Sequence, residues 1–469
     1  VIKKDLKLYA NPAAVITQFL YLPGENRISN IIERVQALRE DEVTSLLQKL
    51  TTQFGWRHRN IEHIFADHFE RINKKFKKRL RHFSTNRKLL LGAYFTKEYS
   101  LQAAALFNPS IVAHPHQENV PEGQQKFVMS LRATGEGHIS SIIFHTGIVD
   151  ASGDIFLESP AQFFTPLKKN ETALFTRAFL RKRTAFIPGF NPEIIDLLPE
   201  EFTADDAIKI LSTLCGKKIL TLLQEIFDTN YEVAPTVDLP LNEKVIFPSS
   251  KAEGMGMEDV RFVQFKDGKN SCYYGTYTAY DGVQIKTQLI ETKDFDQFTV
   301  RTLYGNAISD KGMALFPQKV NGKYVMISRQ GGEKINIMYS DDLYVWDDFK
   351  TLMEPLYDWE LVQLGNCGSP IRTQMGWLLL THGVGVMRTY AISAVLLDLN
   401  DPSTIVGRLT KPLLEAEGEE REGYVPNVVY TCGAFLHNNI LIIPYAMSDS
   451  STGFVTIGLE ELLDEFVSK

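Results

Sequence analysis

The sequence predicts a mainly β chain: a five-bladed β-propeller with an N-terminal helical extension and a helical insertion. Three observations lead there. Short alternating strands recur at 126–132, 271–277, 323–329, 377–382 and 440–445, mostly about fifty to sixty residues apart, which is the size of a propeller repeat. Each strand ends on a polar or aromatic residue, as expected if all of them point at a common channel. Helical periodicity, in contrast, is confined to the first ninety or so residues and to about 165–230. The expected organisation is therefore a helical extension over 1–95 and a propeller over 96–469, interrupted by an insertion at about 166–230.

In the extension, Ile31, Ile32, Val35 and Leu38, then Val43, Leu46, Leu47 and Leu50, keep helical spacing, with Ser29 placed to cap the start. A second helix is expected from about Asn60 through Ile61, Ile64, Phe65, Phe69, Ile72 and Phe76. Its basic end (Lys74, Lys75, Lys77, Lys78, Arg79, Arg81) reads as a solvated helix terminus, where cations are favoured by the dipole. His63 and His68 are five apart, off the spacing of a helical metal pair. In the insertion, Thr203-Ala204-Asp205-Asp206 opens one helix expected to run through Phe227, with Leu211, Leu214, Ile219, Leu222 and Leu223 on its apolar face. The two helical segments either pack on the propeller or build the interface of a homo-oligomer.

Composition narrows the function classes. The chain is 44% hydrophobic and 23% charged, as a soluble globular protein is, and its net charge of −7 gives no global basic field for nucleic acid. No apolar run reaches membrane-spanning length, so no membrane partner is expected. Cys215, Cys272, Cys367 and Cys432 are scattered without a C-x-x-C pair, which fits free thiols in a reducing compartment. The residues after Val1-Ile2-Lys3-Lys4-Asp5 show no apolar secretory signal, and a cytoplasmic location is expected.

The chemistry concentrates at Gly254-Met255-Gly256-Met257-Glu258-Asp259-Val260-Arg261. Two glycines permit a tight turn that delivers two carboxylates and a guanidinium into an apolar strand, an arrangement whose proton affinity is open to adjustment. Arg132, Arg329, Arg372, His382 and Arg388 lie near the ends of the recurring strands or in the loops that follow. Converging on one axis, they would hold an oxyanion such as phosphate, because guanidinium forks match its geometry. Asp449 closes the last repeat and is placed to hold sugar hydroxyls. No P-loop, H-E-x-x-H or G-x-S-x-G pattern occurs, and no ligand cluster implies a metal.

Several ordered motifs give the chain a resemblance to glycoside hydrolase family 130. They are Gly256-Met257-Glu258-Asp259-Val260-Arg261 followed by Tyr274-Gly275-Thr276-Tyr277-Thr278-Ala279-Tyr280, then Leu315-Phe316-Pro317 with Gly322-Lys323-Tyr324. Gly376-Trp377-Leu378-Leu379-Leu380-Thr381-His382-Gly383-Val384, Leu396-Leu397-Asp398-Leu399 and Gly423-Tyr424-Val425-Pro426-Asn427-Val428-Val429-Tyr430 follow in the family's order. The resemblance runs from about Phe107-Asn108-Pro109 to the C-terminus and leaves out the N-terminal helices. It implies a five-bladed propeller and a β-mannoside phosphorylase, with β-mannosidase as the alternative activity in the same family. By resemblance, Asp259 is the general acid, protonating the glycosidic oxygen through the sugar's 3-hydroxyl while phosphate attacks the anomeric carbon from the opposite face. The products would be α-mannose 1-phosphate and a shortened β-mannoside, with the segments 381–385 and 425–430 closest to members acting on β-1,2 linkages.

The resemblance further implies Asn108, Arg132, Glu258, Arg261, Tyr277 and Asp449 for the sugar, and Arg329, His382, Arg388 and Gln363 for phosphate. Inorganic phosphate is the co-substrate, and no other cofactor is implied. Two residues depart from the family's pattern. Val260 replaces a proline, and Gln363 stands where many members carry a phosphate-binding lysine, with Arg388 as its substitute. A hydrolase would instead need a carboxylate base, for which Glu333, Glu360 and Glu420 are the candidates. A propeller that only binds carbohydrate is the reading outside the enzymes.

Overall fold

A computed structural model describes residues 1–468. Five antiparallel meanders make up most of it, and every recurring strand expected from the sequence is the second strand of one of them. The first meander runs Ala105–Ala113, Gln125–Thr134, Ser140–Val149 and Ile155–Leu157; the second runs Gly256–Asp267, Asn270–Tyr280, Ile285–Thr292 and Phe298–Thr302. The third is Ala314–Leu315, Tyr324–Ser328, Ile335–Ser340 and Lys350–Met353; the fourth is Gln363–Asn366, Trp377–Val384, Tyr390–Leu397 and Ile405–Arg408. The fifth contains Val429–Tyr430, Ile440–Met447 and Ser451–Gly458, and its outer strand is Ile2–Tyr9 from the other end of the chain.

That last pairing corrects the expected boundary, because residues 2–9 do not belong to a helical extension. They alternate between exposed and half-buried along the edge of the fifth meander, a pattern too weakly apolar to stand out as a strand. The first and second meanders share one sheet through a single parallel pair, Gly256 with Ser140. Gly256 has φ +129°, and a Cβ there would sit 2.5 Å from the Ser140 backbone nitrogen, so only glycine permits this approach. Apolar side chains between neighbouring meanders form separate clusters, such as Met257, Val260, Phe262, Phe295 and Phe298, rather than one central core. The middle is thereby left to polar groups.

The helical part is α1 (Glu25–Ala37), α2 (Glu40–Phe54), α3 (Ile61–Leu80) and α4 (Thr85–Tyr94). Ser29 lies inside α1, which starts after Gly24. A serine at i+4 of a helix reads like a cap when the preceding turn is polar (Glu25, Asn26, Arg27), and that is what happened here. Asn60 caps α3 as expected. Of the basic run, Lys75 and Arg79 pair with Glu25 and Glu33 of α1 at 2.6 and 2.9 Å. α4 was not expected. Its Arg87 is buried and donates to the carbonyls of Gln36 (3.1 Å) and Leu38 (2.7 Å), closing the orphan end of α1.

The insertion holds α5 (Arg177–Thr184), α6 (Ala204–Leu211) and α7 (Lys217–Thr229). The single helix expected over 203–227 is broken between Leu211 and Lys217, where Ser212 and Thr213 bond back to nearby carbonyls and Gly216 precedes α7. Each helical part packs its apolar face into a cluster of its own within the chain, although Leu214, expected on the face of the insertion, is exposed. Among the described residues, no helix is long and apolar enough to cross a membrane. All four cysteines are free.

Candidate active site

The site is built from a device that the first two meanders share. Where Asn108 and Asp259 stand, each first strand carries one residue more than its partner: Phe107 and Ser110 face Arg132 and Ser130, and Glu258 and Arg261 face Thr278 and Thr276. These are β-bulges, and Asn108 (φ 50°) and Asp259 (φ 56°) occupy the left-handed region within them. Asn and Asp tolerate that backbone better than other side-chain-bearing residues. The two bulges turn these side chains toward each other, and Asn108 Nδ2 donates to Asp259 Oδ1 at 2.6 Å. Pro109 follows Asn108 in the first bulge, and Val260 follows Asp259 in the second. The second bulge thus keeps its shape without a proline, and Val260 packs into the core.

Charge balance around the pair is close. Arg132 donates to Asp259 Oδ1 (3.2 Å) and Glu258 Oε1 (2.8 Å), with its Nε on Ser140 (2.8 Å). Lys311 reaches Glu258 Oε2 at 2.7 Å. Arg261 donates from Nε to the Cys367 carbonyl (2.7 Å), from Nη1 to the Asp259 carbonyl (2.9 Å), and from Nη2 to the Tyr430 hydroxyl. Both side-chain bonds of Asp259 fall on Oδ1, which leaves Oδ2 open to a ligand. Burial pushes the Asp259 carboxyl up, but Arg132, Arg261, Asn108 and Lys311 outweigh it and hold it below the usual carboxylate range. Asp449 goes the other way: burial and the neighbouring Asp259 raise it to about 6, against the pull of Arg132 and Arg388. Their surroundings thus drive the two carboxyls in opposite directions.

A second group adjoins this one through Arg261 and Tyr430. The His382 ring meets Tyr430 edge-on at 5.0 Å and stacks on Tyr390 at 5.7 Å, and its Nε2 is 3.2 Å from Arg329 Nη1. Burial first, then Arg329 and Arg261, drive its pKa well down, so the ring is neutral. Gly365 lies opposite His382 in the ladder, and a Cβ there would be 2.4 Å from the ring, so the close packing needs glycine. Gln363 is one pleat further along the same face, and Arg388 lies over the Tyr390 ring at 5.3 Å. Several buried polar atoms here have no hydrogen-bond partner among the described residues: Arg329 Nε, His382 Nδ1, and both side-chain atoms of Asn366. Unpaired buried polar groups are costly and uncommon, and several in one place point to a polar ligand that completes them.

Of the residues expected from the sequence, Asn108, Arg132, Glu258, Asp259 and Arg261 are joined by hydrogen bonds. Asp449 and Arg388 lie near enough to act on one another's charge, Arg329 and His382 form the adjoining pair, and Gln363 lies on the same strand face as Gly365. Tyr277 stands apart. It is fully buried, and its hydroxyl, like that of Tyr231 (2.8 Å), donates to Glu253, the glutamate of a capping turn at Ser250. Tyr445 bonds Glu420 at 2.7 Å in the same way in the fifth meander, so Tyr277 belongs to a repeated structural lock. Tyr277→Phe should therefore lower stability by about 1–3 kcal/mol in denaturant melts and leave the affinity for sugar unchanged. Arg372 is exposed opposite Trp377, at the end of its strand pair away from His382. Lys311, Tyr390, Asn366 and Tyr430 went unrecognised in the sequence. The turn signal Ser309-Asp310-Lys311-Gly312 before Leu315-Phe316-Pro317 marked Lys311 as a loop cation, but its partner lies in another meander.

Two of the three candidate bases of a hydrolase are tied into capping turns. Glu360 is fully buried in a capping turn, accepting from Leu356 N (2.8 Å) and Tyr357 N (3.0 Å) and paired with Arg408. Glu420 is taken by Tyr445 and Lys3 (2.8 Å). Glu333 is exposed.

A mainly β fold that holds a carboxylate among arginines can seat a sugar and an oxyanion. The family described as beta-1,4-mannooligosaccharide phosphorylase matches residues 231–468. A 1,2-beta-oligomannan phosphorylase from Thermoanaerobacter sp. is 35% identical over 227 residues, 47% of this chain and 75% of the relative. A beta-1,2-mannobiose phosphorylase from Listeria innocua is 31% identical over 301 residues, 59% of this chain and 81% of the relative. A solved structure of a beta-1,2-mannobiose phosphorylase from Listeria innocua, in complex with beta-1,2-mannobiose, superposes with a TM-score of 0.47 at 22% identity, covering 78% of this chain and 92% of that one. The chain belongs to glycoside hydrolase family 130.

Proposed function

We propose that this protein is an inverting phosphorylase of β-mannosides, with β-1,2-linked manno-oligosaccharides as the substrate class. The observation that carries the reading is the pairing of one available carboxylate, Asp259, with a cluster of partnerless buried polar groups around Arg329, His382 and Asn366. An inverting enzyme needs an acid on one face of the sugar and a nucleophile on the other. Phosphate is itself the nucleophile, so the protein has to supply only the acid and a cationic seat. The names of the relatives support the mannoside and the linkage.

In this mechanism Asn108, Arg132 and Glu258 fix Asp259 against the glycosidic bond, and Asp449 holds a sugar hydroxyl. Phosphate sits by Arg329, His382 and Asn366, with Arg388 and Gln363 at the edge of the seat. A phosphate oxygen bonds to the anomeric carbon as the carbon–oxygen bond to the leaving sugar breaks. The proton from Asp259, relayed through the sugar's 3-hydroxyl, ends on the departing oxygen, giving α-mannose 1-phosphate. The mannosyl group is transferred to phosphate instead of water. Glu360 and Glu420 are tied into capping turns, which leaves Glu333 as the one of the three that a hydrolase could still use as base.

We read the five meanders as the five blades of a propeller, closed by the N-terminal strand in the last blade, and the helices over 25–94 and 177–229 as additions to it. Incubation with β-1,2-mannobiose, with and without inorganic phosphate, tests the function. Mannose 1-phosphate formed only with phosphate is the expected result. Mannose released equally without phosphate would make the enzyme a hydrolase.

A further inference from the structure

The helical insertion touches the catalytic centre only indirectly, and the place where it does so is unusual. Arg183 of α5 is 3% exposed and forms no direct ion pair among the described residues. Its Nε makes no hydrogen bond among the described residues. The guanidinium instead lies against three rings, Tyr304 at 4.5 Å, Tyr344 at 5.1 Å and Phe179 at 5.2 Å. Phe186, just after α5, stacks on Tyr304 at 5.3 Å, and Lys182 pairs with Asp342 at 2.8 Å. Burying an arginine with no carboxylate in direct contact is costly; Asp342 and Glu291 act on it only at a distance, and cation–π contact offsets part of the cost. Lys182, Arg183 and Phe186 of the insertion thus grip Tyr304 and the segment 342–344.

Tyr304 begins the loop that carries Lys311. Its backbone bonds both ways with the second gripped segment, Tyr304 N to Tyr344 O (2.8 Å) and Trp346 N to Tyr304 O (2.7 Å). Ala307 N bonds to Trp346 O at 3.0 Å, and Gln330 Nε2 to Ala307 O at 2.7 Å. The loop then passes through Asp310 in the left-handed region (φ 68°) and ends with Lys311 on Glu258 at 2.7 Å. One end is held by the insertion and the other meets the catalytic carboxylates.

We propose that the insertion is a positioning element of the active site: Arg183 and Phe186 fix Tyr304, and through the 304–311 loop they set Lys311 on Glu258 beside Asp259. This rests on the reading of Asp259 as the general acid. Arg183 touches no reacting group, so it is a positioning residue. The groups facing Asp259 are Arg132 and Asn108 from the first meander, Glu258 and Arg261 from its own strand, Lys311 from the loop, and Asp449 from the fifth, with His382, Tyr430 and Cys432 nearby. Of these cations, Lys311 alone is carried on the loop that the insertion grips. Moving it away removes a charge that holds Asp259 low, so the acid keeps its proton to higher pH.

The test has two arms on the full chain. Amide hydrogen exchange compares wild type with Arg183→Ala, Arg183→Lys and Phe186→Ala; Phe186 lies partly exposed, so its variant covers the case in which Arg183→Ala does not fold. Exchange across 304–312 should quicken about tenfold or more in the alanine variants, with the strand Gly256–Asp267 unchanged and partial rescue by Arg183→Lys. In turnover, the descending limb of the kcat–pH profile should move up in Phe186→Ala and Arg183→Ala as it does in Lys311→Met. The double variant Arg183→Ala/Lys311→Met should move no further than Lys311→Met alone. Unchanged exchange across 304–312, or shifts that add in the double variant, would overturn the proposal. If the wild-type chain shows no phosphorolysis, that failure belongs to the functional reading, and the exchange arm decides the insertion's role by itself.

Discussion

Asp259→Asn is expected to reduce phosphorolysis by about 10²–10⁴-fold in kcat, the usual contribution of a positioned general acid. The variant should fold normally. Asparagine tolerates the left-handed backbone of the bulge, and its amide oxygen can still accept from Asn108 at the place where Oδ1 sits now. Isothermal titration with β-1,2-mannobiose should therefore give a dissociation constant close to that of the wild type. An unchanged kcat would remove Asp259 from the mechanism and leave the Glu258–Asp259 pair as structure.

The pH dependence has a definite sign. An acid must hold its proton to act, and Arg132 and Arg261 keep Asp259 below the usual range in the free protein. The pH profile of kcat/KM, which reports the free enzyme, should thus fall as pH rises from a low value. Bound phosphate brings negative charge and the sugar excludes water, and both raise the proton affinity of Asp259. The limb in kcat should accordingly lie at higher pH than the limb in kcat/KM. Coincident limbs would mean that the bound ligands do not charge or dry the acid's surroundings.

Arg329→Met is expected to raise the KM for phosphate by about 10- to 100-fold, since hydrogen bonds to charged groups are worth about 1.5–3 kcal/mol. Methionine keeps most of the aliphatic stem that packs by Gly365, so the change is mainly the lost guanidinium. The KM for mannobiose should move far less. That asymmetry is the point of the measurement: equal rises in both constants would show a general disturbance of the site. His382, neutral and lodged against Tyr390 and Tyr430, orients Arg329 without adding a charge of its own.

By itself the sequence determined whatever depends on neighbours along the chain. Short runs of mostly apolar residues gave the second strand of every meander, because a strand packed on both faces presents apolar side chains at nearly every step. The motif at 256–261 pointed to Asp259 as the acid through the family resemblance, and the residues that surround its carboxyl come from other meanders. Tertiary structure decided what depends on partners from elsewhere. Tyr277 had the composition of a sugar platform, yet Glu253 claims its hydroxyl as Glu420 claims that of Tyr445. Residues 2–9 are strand only because Ser451–Gly458 offers them an open edge, and nothing in their weak alternation could show it. The three glutamates considered as bases looked equivalent in sequence, and burial with capping turns separated two of them from the surface-exposed third. Lys311 joins the site because the loop from Tyr304 carries it to Glu258, a contact between segments that are remote in sequence.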